Sequence, residues 1–437
     1  MTGAPFIRVV RYHRPSAPRG RRPIPRGWAA DTPETWDTRS EQCGCRHLRN
    51  SDDEILGGDP DTREVPAAAP ARVRERLAAL ASAGLDASTF GLTALELLRS
   101  SLPFSAACLA TVDPATELVT GVVKADLTDE HDDLWARHEY EVVDLYNSFD
   151  VFRRPGGVTT ALAETDGDLS RLRRFDEFFS PVYGFGDELR FTAAADGAHW
   201  GFVALFRDDG RGFSPAEQEY AADVGRLFGR GMRAGLVAGA VADGPGGADG
   251  PAVLVVGRDG TVTHGGPGVA ERLADLGGDT DGALPFPLLG LIRAARRYAA
   301  GHLVQLPRTR LRTRSGHWVV AHASPLAGPD GAAGQVVVTI EEARPPEIVP
   351  LVTAAFGLTP RERDVVGLVL RGADTAEIAR VLHLSAWTVQ DHLKSVFAKV
   401  GVRSRRELTA RVYFDQYAPR LQVGAGLTPS GWFAGTA

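Results

Sequence analysis

Gln390, Asp391 and Lys394 fall within one turn and a half of a helical stretch and share one of its faces. An amide, a carboxylate and an ammonium set side by side make a surface of hydrogen-bond donors and acceptors, suited to reading polar edges. The opposite face is apolar. Val389, Leu393, Val396, Phe397 and Val400 recur at i, i+4, i+7, i+8 and i+11, one buried stripe, with Trp387 and Ala398 bordering the polar side.

Several elements must form to hold that face outward. Thr359-Pro360-Arg361-Glu362 is a capping box with proline at the first helical position, opening a helix through Arg371 that Gly372 stops. Asp374-Thr375-Ala376-Glu377 opens a short helix with Ile378, Ala379 and Leu382 inward. After a tight turn, Ser385 caps the helix carrying Gln390 and Lys394, which runs to Val400 and ends at Gly401. Ser404-Arg405-Arg406-Glu407 opens a fourth helix. A short helix, a tight turn and an amphipathic helix make a helix-turn-helix, whose second helix fits a major groove roughly 12 Å wide.

The runs "L-T-P-R-E-R-D-V" (Leu358–Val365), "E-I-A-R-V-L" (Glu377–Leu382), "L-S-x-x-T-V-x-x-H-L" (Leu384–Leu393) and "K-V-G-V-R-S-R-R-E-L" (Lys399–Leu408) resemble the LuxR-type, or GerE-type, C-terminal DNA-binding domain. The resemblance implies an all-α four-helix module on double-stranded promoter DNA. Its contact pattern would put Gln390, Asp391 and Lys394 in the groove. Gln390 would read adenine and Lys394 guanine, while Asp391 would accept from cytosine or repel phosphates. Thr388, Lys399 and Arg403 would touch the backbone and set register. His392 is expected to pack. Trp387 either stacks on a sugar-phosphate edge or covers the second helix. One of Arg405 and Arg406 is a candidate partner for Glu362. The fourth helix commonly carries the dimer contact, here Leu408, Val412 and their neighbours. One departure is His383, where most members place glycine.

The rest of the chain is organised around this module. At 437 residues, 43% hydrophobic and 24% charged, it has room for two to four domains of ~100–200 residues and is neither fibrous nor wholly disordered. No apolar run approaches a membrane span, and the Arg- and Pro-rich start is no secretory signal. Three cysteines (Cys43, Cys45, Cys108) make no disulfide framework, which fits a reducing cytoplasm. The net charge of −6 is uneven: residues 1–30 carry seven arginines and no acid, residues 356–413 ten basic groups against six acids, and residues 31–355 a balance of −17. An acidic body with a basic end fits a regulator that meets nucleic acid at one end.

Residues 1–65 show no periodicity and are expected to be disordered; Cys43-Gly44-Cys45-Arg46-His47 has too few ligands for a zinc site. Between residues 66 and 242 the order is helical stretches, a hairpin (Ala106–Val112 and Leu118–Val123), an aromatic middle, strands at Phe191–Ala194 and Trp200–Phe206, and a helix capped by Ser214 and Glu217. With "W-G-x-x-x-L-x-R" (Trp200 to Arg207) and "F-S-x-x-E" (Phe213 to Glu217), it resembles a GAF domain. Trp135, Tyr146, Phe175, Phe178, Phe179 and Tyr183 are plain core or the lining of a ligand pocket. Cys108, in an apolar strand, reads as a buried structural thiol. After a linker, Asp243–Gly250, residues 251–344 show two strands, helices and three strands, the order of a PAS domain. Pro345-Pro346-Glu347-Ile348-Val349-Pro350 separates it from the module at 351–414, and a tail, 415–437, carries Tyr417, Trp432 and Phe433.

The expected fold class is therefore multidomain α+β, with GAF-like and PAS-like antiparallel-sheet sensor domains before an all-α LuxR-type domain. The expected function is a cytoplasmic DNA-binding transcriptional regulator, homodimeric on DNA, with RNA polymerase as a partner, an unknown small-molecule ligand in the GAF-like domain, and no membrane, metal or cofactor. No Walker A loop, H-E-x-x-H or G-x-S-x-G occurs, so no enzymatic activity is expected. Two other readings share parts of the pattern: a sigma-like promoter-recognition subunit, and a GAF-based ligand-binding signalling protein with accessory DNA binding.

Overall fold

The computed structural model describes residues 68–208, 210–238, 250–278, 283–327 and 334–414. The expectations for residues 1–65, for the linker before Gly250 and for the tail after residue 414 lie outside them.

Helix α1 (Ala68–Leu80) and α2 (Ala87–Arg99) lead into the first sheet. Asp86 caps α2, accepting from Ser88 N and Thr89 N at 3.0 Å each, and Phe90, Ala94, Leu95 and Leu98 form its buried face. Strands β1 (Ala106–Val112) and β2 (Val119–Ala125) form the expected hairpin. The aromatic middle holds α3 (Asp132–Tyr140), α4 (Ser148–Phe152), β3 (Val158–Thr160), α5 (Ala161–Glu164) and a π-helical stretch, Phe175–Tyr183. Then come β4 (Asp187–Ala195), β5 (Ala198–Arg207) and α6 (Pro215–Ala238). The sheet is antiparallel in the order β2-β1-β5-β4-β3.

Both faces of this sheet are covered, which is why β1 is apolar but for Thr111 and not alternating. Ala107, Leu109, Leu189, Phe191 and Leu205 pack against α1, α2 and α6. Gly225 and Gly229 let α6 lie directly on β4: a Cβ at either would come within 2.5 Å of the backbone of Thr192 or Ala194. Cys108 and Phe206 face the aromatic middle. Cys108 is buried, and burial pushes its thiol up to about 12, as a structural cysteine requires.

The aromatic middle is core. Trp135, Tyr146, Phe175, Phe178 and Phe179 are at most 3% exposed, and Trp135 meets Phe179 edge-on at 5.3 Å while Phe178 and Phe179 lie 4.9 Å apart. Tyr183 stacks on Phe185. Of the two readings of these residues, the space is filled by their own rings. Next to them lies a buried ionic network: Arg190 meets Glu139 at 2.7 Å and Glu188 at 2.6 Å, and Arg174 meets Glu188 at 3.0 Å. Such charges stay folded only because each guanidinium has carboxylates to pair with.

The second sheet comprises β6 (Ala252–Val256) and β7 (Val262–Gly265), then, after α7 (Val269–Asp275) and α8 (Phe286–Ala299), β8 (Arg308–Arg312), β9 (Trp318–Leu326) and β10 (Gln335–Glu342). Its order, β7-β6-β10-β9-β8, repeats the connectivity of the first. The two layers are joined by α8 against α3. Gly290 faces the Tyr140 ring, where a Cβ would sit 2.7 Å from Cε2, and Arg293 reaches Glu141 and Asp133 at 2.6 and 2.5 Å.

One expectation is corrected. The proline run from Pro345 is no separator; it is the start of helix α9 (Pro345–Ala355). Prolines at the first two positions lack only donors that a first turn leaves unused, and Glu347 closes the turn by accepting from Arg344 N at 2.7 Å. Ile348, Leu351, Val352 and Ala355 bury themselves in the body's core, whereas Val349 packs on the C-terminal module. Arg310 of β8 fixes the arrangement. Its guanidinium donates to both carboxylate oxygens of Asp113, in the turn after β1, at 2.8 and 2.5 Å, and to Glu347 O of α9 at 2.9 Å.

Gly290→Val should push α8 off Tyr140 and destabilise the chain by about 1–3 kcal/mol. Urea denaturation should show a lowered midpoint; an unchanged midpoint would mean the α3–α8 contact is slack.

Candidate nucleic-acid interface

The C-terminal module consists of α10 (Pro360–Leu370), α11 (Thr375–Leu382), α12 (Ala386–Val400) and α13 (Arg405–Thr409), the last running on as a π-helical turn, Ala410–Phe414. Each expected start is present. Thr359 and Glu362 form a reciprocal capping box at 3.3 and 2.7 Å, Asp374 accepts from Glu377 N at 2.8 Å, Ser385 from Thr388 N at 3.0 Å, and Ser404 from Glu407 N at 3.1 Å. The turn between α11 and α12 passes through His383 in the left-handed region, φ 52° and ψ 47°. A histidine tolerates that conformation where a β-branched residue would not. Gly401, at φ 75°, ends α12.

The core of the module is the predicted stripe. Val389, Leu393, Val396 and Val400 are at most 5% exposed and meet Val365, Val366, Val369 and Ile378. Gln390, Asp391, Lys394 and Ala398 are all exposed on the other side of α12, so the polar face points to solvent. Gln390 Nε2 is parked on Thr375 Oγ1 at 3.1 Å, which orients the amide along the face. Trp387 is 77% exposed at the start of the helix; it does not cover α11, and of its two readings only an outward one is left. His392 is half-buried. Thr388 Oγ1 shares a hydrogen bond with Ser385 Oγ at 2.8 Å, and Arg403 is exposed at the far end.

The second helix of a helix-turn-helix is thus presented whole, its polar face uncovered among the described residues. A model of the family described as "Bacterial regulatory proteins, luxR family" matches residues 357–412. Residues 357–412 are a LuxR-family helix-turn-helix domain.

Over this LuxR-family domain the chain is similar to curated regulators. It is 46% identical over 56 residues to the monoamine regulon transcriptional regulator of Klebsiella aerogenes, covering 13% of this chain and 25% of that protein. It is 40% identical over 50 residues to the spore germination protein GerE of Bacillus subtilis, covering 11% of this chain and 68% of that one. The chain thus spans a quarter of the length of the first relative. Among solved structures, the VqmA dimer of Vibrio cholerae aligns over 37% of this chain and 81% of that chain at 18% identity, with a TM-score of 0.20.

Two expectations about the LuxR-family domain change, and Lys399 gains a competing partner. Glu362 is not held by Arg405 or Arg406. Its oxygens accept from Lys399 Nζ at 2.7 and 3.0 Å and from Ser395 Oγ at 2.6 Å. Lys399 is therefore committed to tying the end of α12 to the start of α10, and would reach a phosphate only by leaving Glu362. Arg405 instead donates to Ala373 O at 2.7 Å and Thr375 Oγ1 at 2.8 Å, locking α13 to the α10–α11 turn. Leu408 and Val412 are 0% and 1% exposed in the module's own core, so those side chains offer no contact to a second copy. Thr375, which supports Gln390, lies outside the expected site residues; its one signal in the sequence is a hydroxyl directly after the cap residue Asp374.

Burial alone would raise the Glu362 carboxyl, but the hydrogen bonds from Lys399, Ser395 and Thr359 N outweigh it and hold the group down at about 2. A carboxyl depressed in the folded state stabilises above its unfolded value, and that contribution is lost as pH falls through the folded one. The module should therefore lose stability between about pH 5 and pH 2. Glu362→Gln should flatten that loss, read by circular dichroism of the helical signal against pH; an acid transition of equal size in the variant would remove Glu362 from this role.

Proposed function

We propose that the chain is a transcriptional regulator that binds promoter DNA through α12 and whose two-sheet body controls that binding. The observation that carries the reading is the exposed Gln390–Asp391–Lys394 face on a LuxR-family helix-turn-helix. In this reading Gln390 contacts adenine and Lys394 guanine, Asp391 selects against phosphate or for cytosine, and Trp387, Thr388 and Arg403 meet the backbone. Lys399, part-exposed at the end of α12, joins these backbone contacts by exchanging Glu362 for a phosphate.

The body is read as sensory. Two successive antiparallel sheets of one connectivity, both packed through α9 toward the DNA-reading module, support the GAF-like and PAS-like assignments. A regulator of this kind acts in the cytoplasm with RNA polymerase as its eventual partner, and as a regulator and not an enzyme. Two copies on a two-half-site operator would meet through the exposed side of α13, with Arg406 and Glu407, and not through Leu408 and Val412.

Lys394→Ala should weaken binding to a duplex selected from a random pool by about 1–3 kcal/mol and relax one base position. Arg403→Ala should weaken all sequences evenly and lower the salt slope by about 1. Gel-shift titrations at several salt concentrations separate the two. A Lys394→Ala protein that binds the selected site like wild type would overturn the groove assignment.

A further inference from the structure

Between the two sheet layers and α9 lies a cleft of about 1140 Å³. Its walls are the turn after β1, the last turn of α8, the segment leading into β8, and the first turns of α9. Five arginines line it, and three are spent: Arg310 on Asp113, Arg344 on Glu347 at 3.0 Å, and Arg153 on Glu117 at 3.0 Å. The remaining acid, Asp150, is used in the cap of α4, accepting from Asn147 N at 3.0 Å.

Arg297 and Arg308 are left over. Neither guanidinium has a hydrogen bond or ion pair among the described residues, and Arg297 Nε is buried without a partner. A buried guanidinium donor with nothing to donate to is a standing demand for an acceptor. Beside them the same cleft exposes aliphatic side chains that a folded chain would ordinarily cover: Leu303 is 37%, Leu306 48% and Val304 96% exposed. Guanidinium groups paired with an apolar lining match one kind of occupant.

We propose that this cleft binds a small organic anion, with a carboxylate or phosphate head on Arg297 and Arg308 and an apolar body against Leu303 and Leu306. The site lies outside the filled aromatic interior of the first domain. Pro346 and Pro350 of α9 form part of its wall, so an occupant touches the helix that also packs on the DNA-reading module. Binding requires nothing of the regulator reading; only its consequence, a change in DNA affinity through α9, rests on it.

The test is titration calorimetry of the full chain with four probes that share one chain and differ in the head: octanoate, octyl phosphate, octanol and octylamine. Octanoate, octyl phosphate or both should bind, whichever binds tighter identifying the head group, with octanol and octylamine weaker by about tenfold or more. The Arg297→Ala/Arg308→Ala protein should lose about tenfold to a hundredfold in affinity, and Arg297→Lys/Arg308→Lys should recover part of it. Should the double alanine variant fold poorly, Arg308→Glu, at an exposed position, should abolish anion binding alone. The proposal falls if neither anion binds at millimolar concentration, if octanol binds as tightly as the anions, or if the folded variants bind like wild type. DNA affinity without probe, measured in parallel, shows separately whether the regulator reading stands.

Discussion

The bidentate pairing of Arg310 with Asp113 is the interaction on which the arrangement of the molecule depends. Asp113 belongs to the first sheet, Arg310 to the second, and the third acceptor, Glu347 O, to α9. The Asp113 side chain is 2% exposed and that of Arg310 14%, so the pair is largely shielded from water at the wall of the cleft. Removing one member of such a pair leaves an uncompensated buried charge, a cost of about 3–5 kcal/mol. The pair thus ties the two layers and the helix to one point. Arg293 adds a second ion-paired contact between the layers, with Asp133 and Glu141, whose carboxylates remain partly exposed.

That constraint gives α9 its meaning. One side, with Ile348, Leu351, Val352 and Ala355, is buried in the body, and Val349 on the other packs against the module that carries α12. Close-packed interfaces tend to have discrete arrangements and not continuous ones, which is the physical basis on which the proposed control by the body would reach α12. The position of the cleft against α9 and not inside a sheet domain follows the same logic: the interiors are already filled by rings and paired ions.

Much of this was legible in the sequence because it is local. Caps, proline at first helical positions, and the Val389–Val400 stripe depend on neighbours a few residues away, and the helix-turn-helix emerged almost residue for residue. Strands such as Ala106–Val112 and Ala252–Val256 were visible as apolar runs between turns. What escaped depends on distant partners. β3 is three residues long and shows no period. The prolines before Ile348 looked like a spacer because proline at a helix start and proline in a linker are identical until the buried face of Ile348, Leu351 and Val352 is seen. Charge counting found a −17 body but could not tell spent arginines from free ones; Arg174, Arg190, Arg293 and Arg310 are spent. Lys399 looked free for the same reason, since Glu362 lies thirty-seven residues away, and Leu408 looked available for a partner because its own core comes from three other helices.

Amide hydrogen exchange of the full chain, wild type against Arg310→Ala, tests most directly whether body and DNA-reading module form one mechanical unit. The account predicts faster exchange together in three segments distant in sequence: the turn at 113–118, strand β8, and α9 with its contact on the module. Faster exchange confined to β8, with α9 as protected as in wild type, would contradict it.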